Sequence, residues 1–277
     1  MPPRRESAAR AASRPPRRKR FGQHFLHDPA VIERIVTAIR PEPQQHLVEI
    51  GPGRGALTRR LLQGGPASLD AIELDRDLAA QLTTELSGSP GFTLHVQDAL
   101  RVDFTDLARQ RGARLRIIGN LPYNISTPLL FHLLQHADAI DDLHIMLQRE
   151  VVARMAAVAG DADYGRLSVM LAPWSVVHWL FDVGPGAFQP PPRVWSAVAR
   201  VQIRREPAFK PAEHFAEVVS AAFSHRRKTL RNALRALVSE EQIRAAGQDP
   251  GVRPETLEPS AFNAIAQKIV RSTSGCA

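Results

Sequence analysis

Leu47-Val48-Glu49-Ile50-Gly51-Pro52-Gly53-Arg54-Gly55 decides the fold. Leu47 to Ile50 read as a short buried strand, the glycines make a turn, and a helix runs from Ala56 through Leu62. Strand, glycine turn and helix in that order give a nucleotide-type loop at the edge of a parallel sheet. A G-x-G-x-G is weak alone, so its neighbours must say what it holds. A loop built for a pyrophosphate aims backbone N–H groups at the ligand. Here Pro52 has no N–H to give, and Glu49 places a carboxylate at the strand's end. Both features disfavour a phosphate and suit a ligand that joins a positively charged amino acid to an unphosphorylated adenosine.

S-adenosylmethionine has that chemistry, and the next two strands supply what its nucleoside needs. The second strand, Leu69 to Leu74, carries Glu73, which lies where an acid accepts from both ribose hydroxyls. The third, Phe92 to Val96, leads into Gln97-Asp98-Ala99, and Asp98 is placed to accept from the adenine amine. The plain alternative is three solvated carboxylates at strand ends.

A fourth strand, Leu115 to Gly119, delivers Asn120-Leu121-Pro122-Tyr123-Asn124-Ile125-Ser126-Thr127 to the same sheet edge. Asn120 offers a side-chain carbonyl to an exocyclic amine, Pro122 stiffens the turn, and Tyr123 presents a ring for stacking. A flat base alkylated on its amine needs all three. An ordinary strand-to-helix turn, with Tyr123 in the core, is the competing reading.

Upstream, Asp28-Pro29 starts a helix whose apolar residues are Val31, Ile32, Ile35, Val36 and Ile39, ending before Pro41. Downstream come a helix from Thr127 to Ala137, a strand around His144 to Leu147, and a helix from Glu150 to Val158. Another helix begins at Gly165, and strands Val176 to Val183 and Val194 to Ile203 read as the antiparallel pair that closes the sheet. Glu206 to Pro211 is a linker to helical spacings through Ile269. The expected architecture is therefore α/β, a Rossmann-like sheet with a small C-terminal all-helical domain. Its parts are a disordered basic arm (1–18), a methyltransferase-type domain (19–205) and a helical RNA-binding domain (206–277).

The chain has 277 residues, 44% of them hydrophobic, enough for a full core. One cysteine, Cys276, excludes an internal disulfide and fits a reducing compartment. No metal site is expected, since the ten histidines show no ligand spacing. The net charge of +8 is segregated: residues 1 to 20 carry eight basic residues and one acid, and residues 193 to 235 carry ten and three. Each stretch is thus +7, leaving about −6 for the rest, as two basic surfaces facing a polyanion require. Arg226, Arg227, Lys228 and Arg231 follow the helix at Phe215, with Arg227 and Arg231 four apart on one expected helical face, where they can grip phosphates. The Pro- and Arg-rich arm competes with a transit peptide. Pro173 and His178 break the most apolar later region, so no membrane span is expected and the protein reads as cytoplasmic.

Taken in order, KRFGQHFL, VEIGPGRGALT, IELDRDL, QDAL, GNLPYNISTPLL, YGRLSVM, FQPPPRV and HRRKTLRNAL make the chain resemble the ribosomal RNA adenine dimethyltransferase family, in particular its small-subunit members. The resemblance runs from about Lys19 to the last helix. It implies S-adenosyl-L-methionine contacts at His24, Leu26, Gly51, Glu73, Asp98 and Asn120. It also implies a catalytic group of Asn120, Leu121, Pro122, Tyr123 and Phe188, with Tyr123 and Phe188 stacking on the target base. The implied reaction dimethylates N6 of two adjacent adenosines in a hairpin loop near the 3' end of 16S rRNA. Its substrate is that RNA or a small ribosomal subunit precursor, and a monomer is expected. His24 stands where the family often has Asn, and Trp195 where it often has an acid. A large-subunit rRNA adenine methyltransferase and a non-catalytic RNA-binding assembly or transcription factor on the same fold are the competing functions.

Overall fold

A computed structural model describes residues 24–123, 125–225 and 227–269. The basic arm lies outside the described residues, as does Arg226. In chain order the elements are β1 (Phe25–Leu26), α1 (Pro29–Ile39), β2 (His46–Ile50), α2 (Ala56–Gln63), β3 (Ser68–Glu73), α3 (Arg76–Leu86) and β4 (Phe92–Val96). Then come α4 (Phe104–Arg111), β5 (Leu115–Asn120), α5 (Ser126–Gln135), β6 (Ile140–Gln148), α6 (Arg149–Ala156), α7 (Arg166–Leu171) and β7 (Ser175–Val183). The chain closes with β8 (Phe188–Gln189), β9 (Ser196–Ile203), α8 (Phe215–Ala222), α9 (Leu230–Leu234), α10 (Glu240–Ala245) and α11 (Pro259–Ala266).

Seven strands form one sheet in the order β4-β3-β2-β5-β6-β9-β7. The first five run parallel, and β9 lies antiparallel between β6 and β7, of which the β7–β9 pair is the one expected from the sequence. The order reverses beside β2, so β2 and β5 open a crevice at their C-terminal ends, where open α/β sheets bind ligands. Alternation along the strands builds two apolar layers. Val48, Ile117 and Ala199 pack with Phe104, Leu129 and Val152 on one face, and Leu47, Ile118 and Val198 with Ile35, Leu57 and Leu61 on the other. Truncating the fully buried Phe104 to Ala should cost roughly 3 to 5 kcal/mol.

Local chemistry sets the ends of these elements. Asp28 caps α1 by accepting from the Ala30 and Val31 N–H groups, a bond set worth about 1 kcal/mol. Gly55 precedes α2 at φ +74°, and a Cβ there would come within 2.7 Å of a Leu82 methyl. Far from the crevice, buried Asp142 on β6 accepts from Arg116 of β5 at 2.9 Å and Arg200 of β9 at 3.1 Å, tying three strands together.

Two expectations about the C-terminal region change. Helix α9 starts only at Leu230, so Arg227 lies in the turn before it, and Arg227 and Arg231 do not share a helical face. The helical core is also not closed within residues 206–277, since Tyr164 and Val169 are buried among Phe215, Leu230 and Phe262. The Tyr164 hydroxyl donates to the Leu257 carbonyl at 2.7 Å, and buried Asn263 of α11 clamps Lys210 and Ala212. The helices are thus docked on the α6–α7 segment. No helix among the described residues is long and apolar enough to cross a membrane.

Candidate active site

The ends of β2, β3 and β5 and the turn after β4 surround one cavity of about 160 Å³. Its wall brings together His24, Leu26, Gly51, Glu73, Asp98, Asn120, Leu121, Pro122 and Tyr123, residues drawn from nearly one hundred positions of chain. Gly51 enters the loop at φ +69°, a conformation that suits glycine, and its N–H is spent on the Ile72 carbonyl.

Three carboxylates face this space under different constraints. Glu73 is buried, and its two oxygens accept from the N–H groups of Gly53 at 3.1 Å and Asp75 at 2.9 Å. Those bonds fix the carboxylate while each oxygen keeps a lone pair for a further donor. Burial pushes its carboxyl above the usual carboxylate range, against the pull of the same backbone groups. Asp98 caps the short turn after β4 through the Leu100 N–H at 3.0 Å.

Glu49 is the most constrained of the three. It is buried, and its Oε2 has no hydrogen-bond partner among the described residues. Burial, together with the nearby Glu73 charge, pushes its carboxyl up to about 7. Thr58, whose buried Oγ1 makes no geometrically sound hydrogen bond, and Arg59 only partly offset this. An unpaired buried acid beside a cavity is costly unless a donor or cation completes it. An amino-acid ammonium is such a group.

The fourth wall carries the residues expected at the base. Asn120 Nδ2 donates to the His24 carbonyl at 3.0 Å, which fixes the amide orientation and leaves Oδ1 as the acceptor at the cavity. His24 is held in turn, because its Nδ1 donates to the Pro190 carbonyl at 2.7 Å. An Asn at this position has a similar donor and the same main-chain carbonyl, so His24 preserves both contacts. Tyr123 is positioned by a 2.8 Å hydrogen bond between its hydroxyl and the Ser196 Oγ, and its ring lies 6.0 Å from that of His24. Ser196 escaped the sequence reading. No local pattern marks it, since only the β6–β9 pairing brings it beside Tyr123.

Phe188 departs from the expectation. It is 2% exposed, pairs with Leu26 in the β1–β8 ribbon and packs among Ile32, Leu57 and Val198, so its ring is part of the core and does not line the cavity. The physical reason is the short ribbon itself, which turns the side chain inward. At the cavity rim Arg54 instead lies over the Phe25 ring at 4.6 Å.

The basic residues expected to grip phosphates lie apart from the cavity wall. Arg227 is exposed and Lys228 partly so, while Arg231 reaches Glu240 at 3.5 Å. An exposed pair of this kind contributes little and can exchange for a phosphate.

The profile of the ribosomal RNA adenine dimethylase family matches residues 16–267. The chain belongs to that family. It is 52% identical over 255 residues to the ribosomal RNA small subunit methyltransferase A of Pseudomonas savastanoi pv. phaseolicola, covering 91% of this chain and 94% of that protein. The protein of the same name from Methylococcus capsulatus is also 52% identical, covering 91% and 97%. Among solved structures, the 23S rRNA methyltransferase ErmE superposes with a TM-score of 0.68 at 26% identity, covering 88% of this chain and 99% of that one. A dimethyladenosine transferase from Plasmodium falciparum gives 0.72 at 23%, covering 87% and 96%, a likeness of fold. Family membership makes the chain an S-adenosylmethionine-dependent enzyme with a Rossmann-like sheet, and the donor set suits that cofactor. Glu49 would offer its unpartnered oxygen to an ammonium and Glu73 its fixed acceptors to a ribose, while the Pro52 loop makes no phosphate cradle.

Proposed function

We propose that this protein dimethylates N6 of two adjacent adenosines in a hairpin loop near the 3' end of 16S rRNA, as a step of small-subunit biogenesis. The observation that carries the reading is the Asn120 amide, held by His24 so that its oxygen faces the cavity shared with Glu49, Glu73 and Asp98. Residues Glu49, Glu73, Asp98, Leu26 and His24 bind S-adenosylmethionine, and Gly51 lets the loop approach it. When bound, the cofactor supplies a methyl group on a positively charged sulfur.

An adenine amine is a poor nucleophile because its lone pair is delocalised into the ring. Asn120 Oδ1, with a main-chain carbonyl near Leu121, accepts from the amine and localises that pair. Pro122 stiffens the turn and Tyr123 stacks on the base, fixing the line of attack. The base leaves its stack first, at least cost in a loop. Arg227, Lys228 and Arg231 hold phosphates, with Arg226 expected beside them though outside the described residues.

Similarity at 52% identity to proteins named for the small subunit favours that target over the large-subunit alternative. A monomer acting in the cytoplasm on the RNA or a subunit precursor belongs to the same reading. The test is to incubate the purified chain with S-adenosylmethionine and unmodified small subunits, then search the rRNA by mass spectrometry for N6,N6-dimethyladenosine. Its absence, with RNA binding intact, would favour a non-catalytic assembly factor.

A further inference from the structure

Trp195 is the bulkiest apolar side chain that the fold leaves in solvent among the described residues, at 54% exposed. The other two tryptophans, Trp174 and Trp179, pack against the sheet core. An exposed single Leu or Val needs no explanation, but a half-open indole at a ligand-bearing sheet edge does.

The register says where it stands. Asn120 pairs with Met146, Met146 with Val198, and Gln148 with Ser196, so antiparallel β9 begins at the edge where β5 ends. Trp195 is the residue just outside that strand, one Cα step of about 3.8 Å from Ser196, whose hydroxyl holds Tyr123. The indole therefore stands at the same end of the sheet as the base site, turned toward the β7 side over Gly184 and outside the cavity wall.

Its attachment is ordered from two sides. The Trp195 carbonyl accepts from the Arg149 N–H at 2.9 Å, and the six-membered ring lies over Gly184, where a Cβ would come within 3.5 Å of Cη2. The surroundings are apolar with charges of both signs. Arg193 is exposed two residues upstream, Val194 is 44% exposed, and the exposed Arg149 pairs with Asp182 at 3.1 Å. A held aromatic plane with one open face is the chemistry that stacks on an unpaired base.

We propose that Trp195 stacks on an unpaired base flanking the target adenosine, as a nucleobase subsite outside the methyl-transfer cavity. The subsite rests on the reading of the cavity as an RNA adenine methyltransferase site, and it holds a splayed loop in register while Tyr123 takes the reacting base.

The test uses the full chain carrying Trp174→Phe and Trp179→Phe, so that Trp195 is the sole indole, titrated with an RNA hairpin whose loop contains two adjacent unpaired adenosines. Indole emission should be quenched on binding, and the quench should fall when the flanking loop bases are replaced by abasic sites. In parallel, Trp195→Ala in the otherwise native chain should raise KM for that hairpin by at least about fivefold with kcat within twofold, and Trp195→Phe should restore most of the loss. This second measurement decides alone if the double Phe background fails to fold. Unchanged KM in Trp195→Ala while methylation proceeds would overturn the subsite and leave the proposed reaction standing. A base-dependent quench without methylation by the native chain would uphold the subsite and sink the reaction.

Discussion

Asn120 and His24, 96 positions apart, meet through a 3.0 Å hydrogen bond from Nδ2 to the main-chain carbonyl. On the proposed mechanism the bond does what a flexible amide cannot, presenting Oδ1 as an acceptor before the substrate arrives. Asn120→Ala should reduce methyl transfer by at least about a hundredfold, the loss typical of one preorganised electrostatic donor or acceptor. Cofactor and RNA affinities should change by less than tenfold. Single-turnover transfer beside calorimetric titration with S-adenosylmethionine reads both, and full activity in the variant would refute the role.

Glu73 offers a second test because its carboxylate is already fixed by Gly53 and Asp75. Glu73→Ala should cost on the order of 2 to 3 kcal/mol of cofactor affinity, the value of hydrogen bonds to a charged group. Binding of an rRNA hairpin should barely change, since the basic turn before α9 lies elsewhere. Equal cofactor affinity in the two proteins would mean that the ribose is held by other groups.

Glu49 couples stability to function with opposite signs. Its carboxyl is raised from 4.5 to about 7 by burial in the folded chain. Stability is therefore fully present below about pH 4.5 and is lost as pH rises toward about 7, by up to roughly 3 kcal/mol at 1.36 kcal/mol per pKa unit. Glu49→Gln should remove this loss, making the cofactor-free protein more stable than wild type at about pH 8 in urea unfolding. The same variant should bind S-adenosylmethionine more weakly, and the rise in affinity expected of wild type between about pH 6 and 7.5 should be flattened in it. A wild-type affinity that is level across this range would argue against an ammonium partner.

Replacing Arg227 and Lys228 with Ala should weaken RNA binding and reduce the slope of log affinity against log salt by roughly 0.7 to 0.9 for each lost phosphate contact. Arg231→Ala should show less, because its exposed pairing with Glu240 must first be broken. Filter binding over a salt series checks this, and an unchanged slope would move the RNA surface elsewhere.

Much of the site could be read from the sequence because its signals are local. A glycine loop after an apolar strand, and acids at consecutive strand ends, are set by backbone conformation and a two-residue period, so local sequence alone puts Gly51, Glu73, Asp98 and Asn120 at one edge. Helix α1 announced itself by the Asp28-Pro29 cap and its apolar spacing for the same reason. Tertiary structure alone decided what depends on partners far along the chain. Pairing of β1 with β8 turned Phe188 into the core, and pairing of β6 with β9 brought Ser196 to Tyr123. The late start of α9 moved Arg227 off the helix, because Thr229 rather than the basic run precedes its first turn. Burial, which no spacing encodes, left Glu49 Oε2 without a partner among the described residues. Sequence fixes which way a backbone can turn, but the direction and charge of a side chain depend on the free energy of the company that the finished fold gives it.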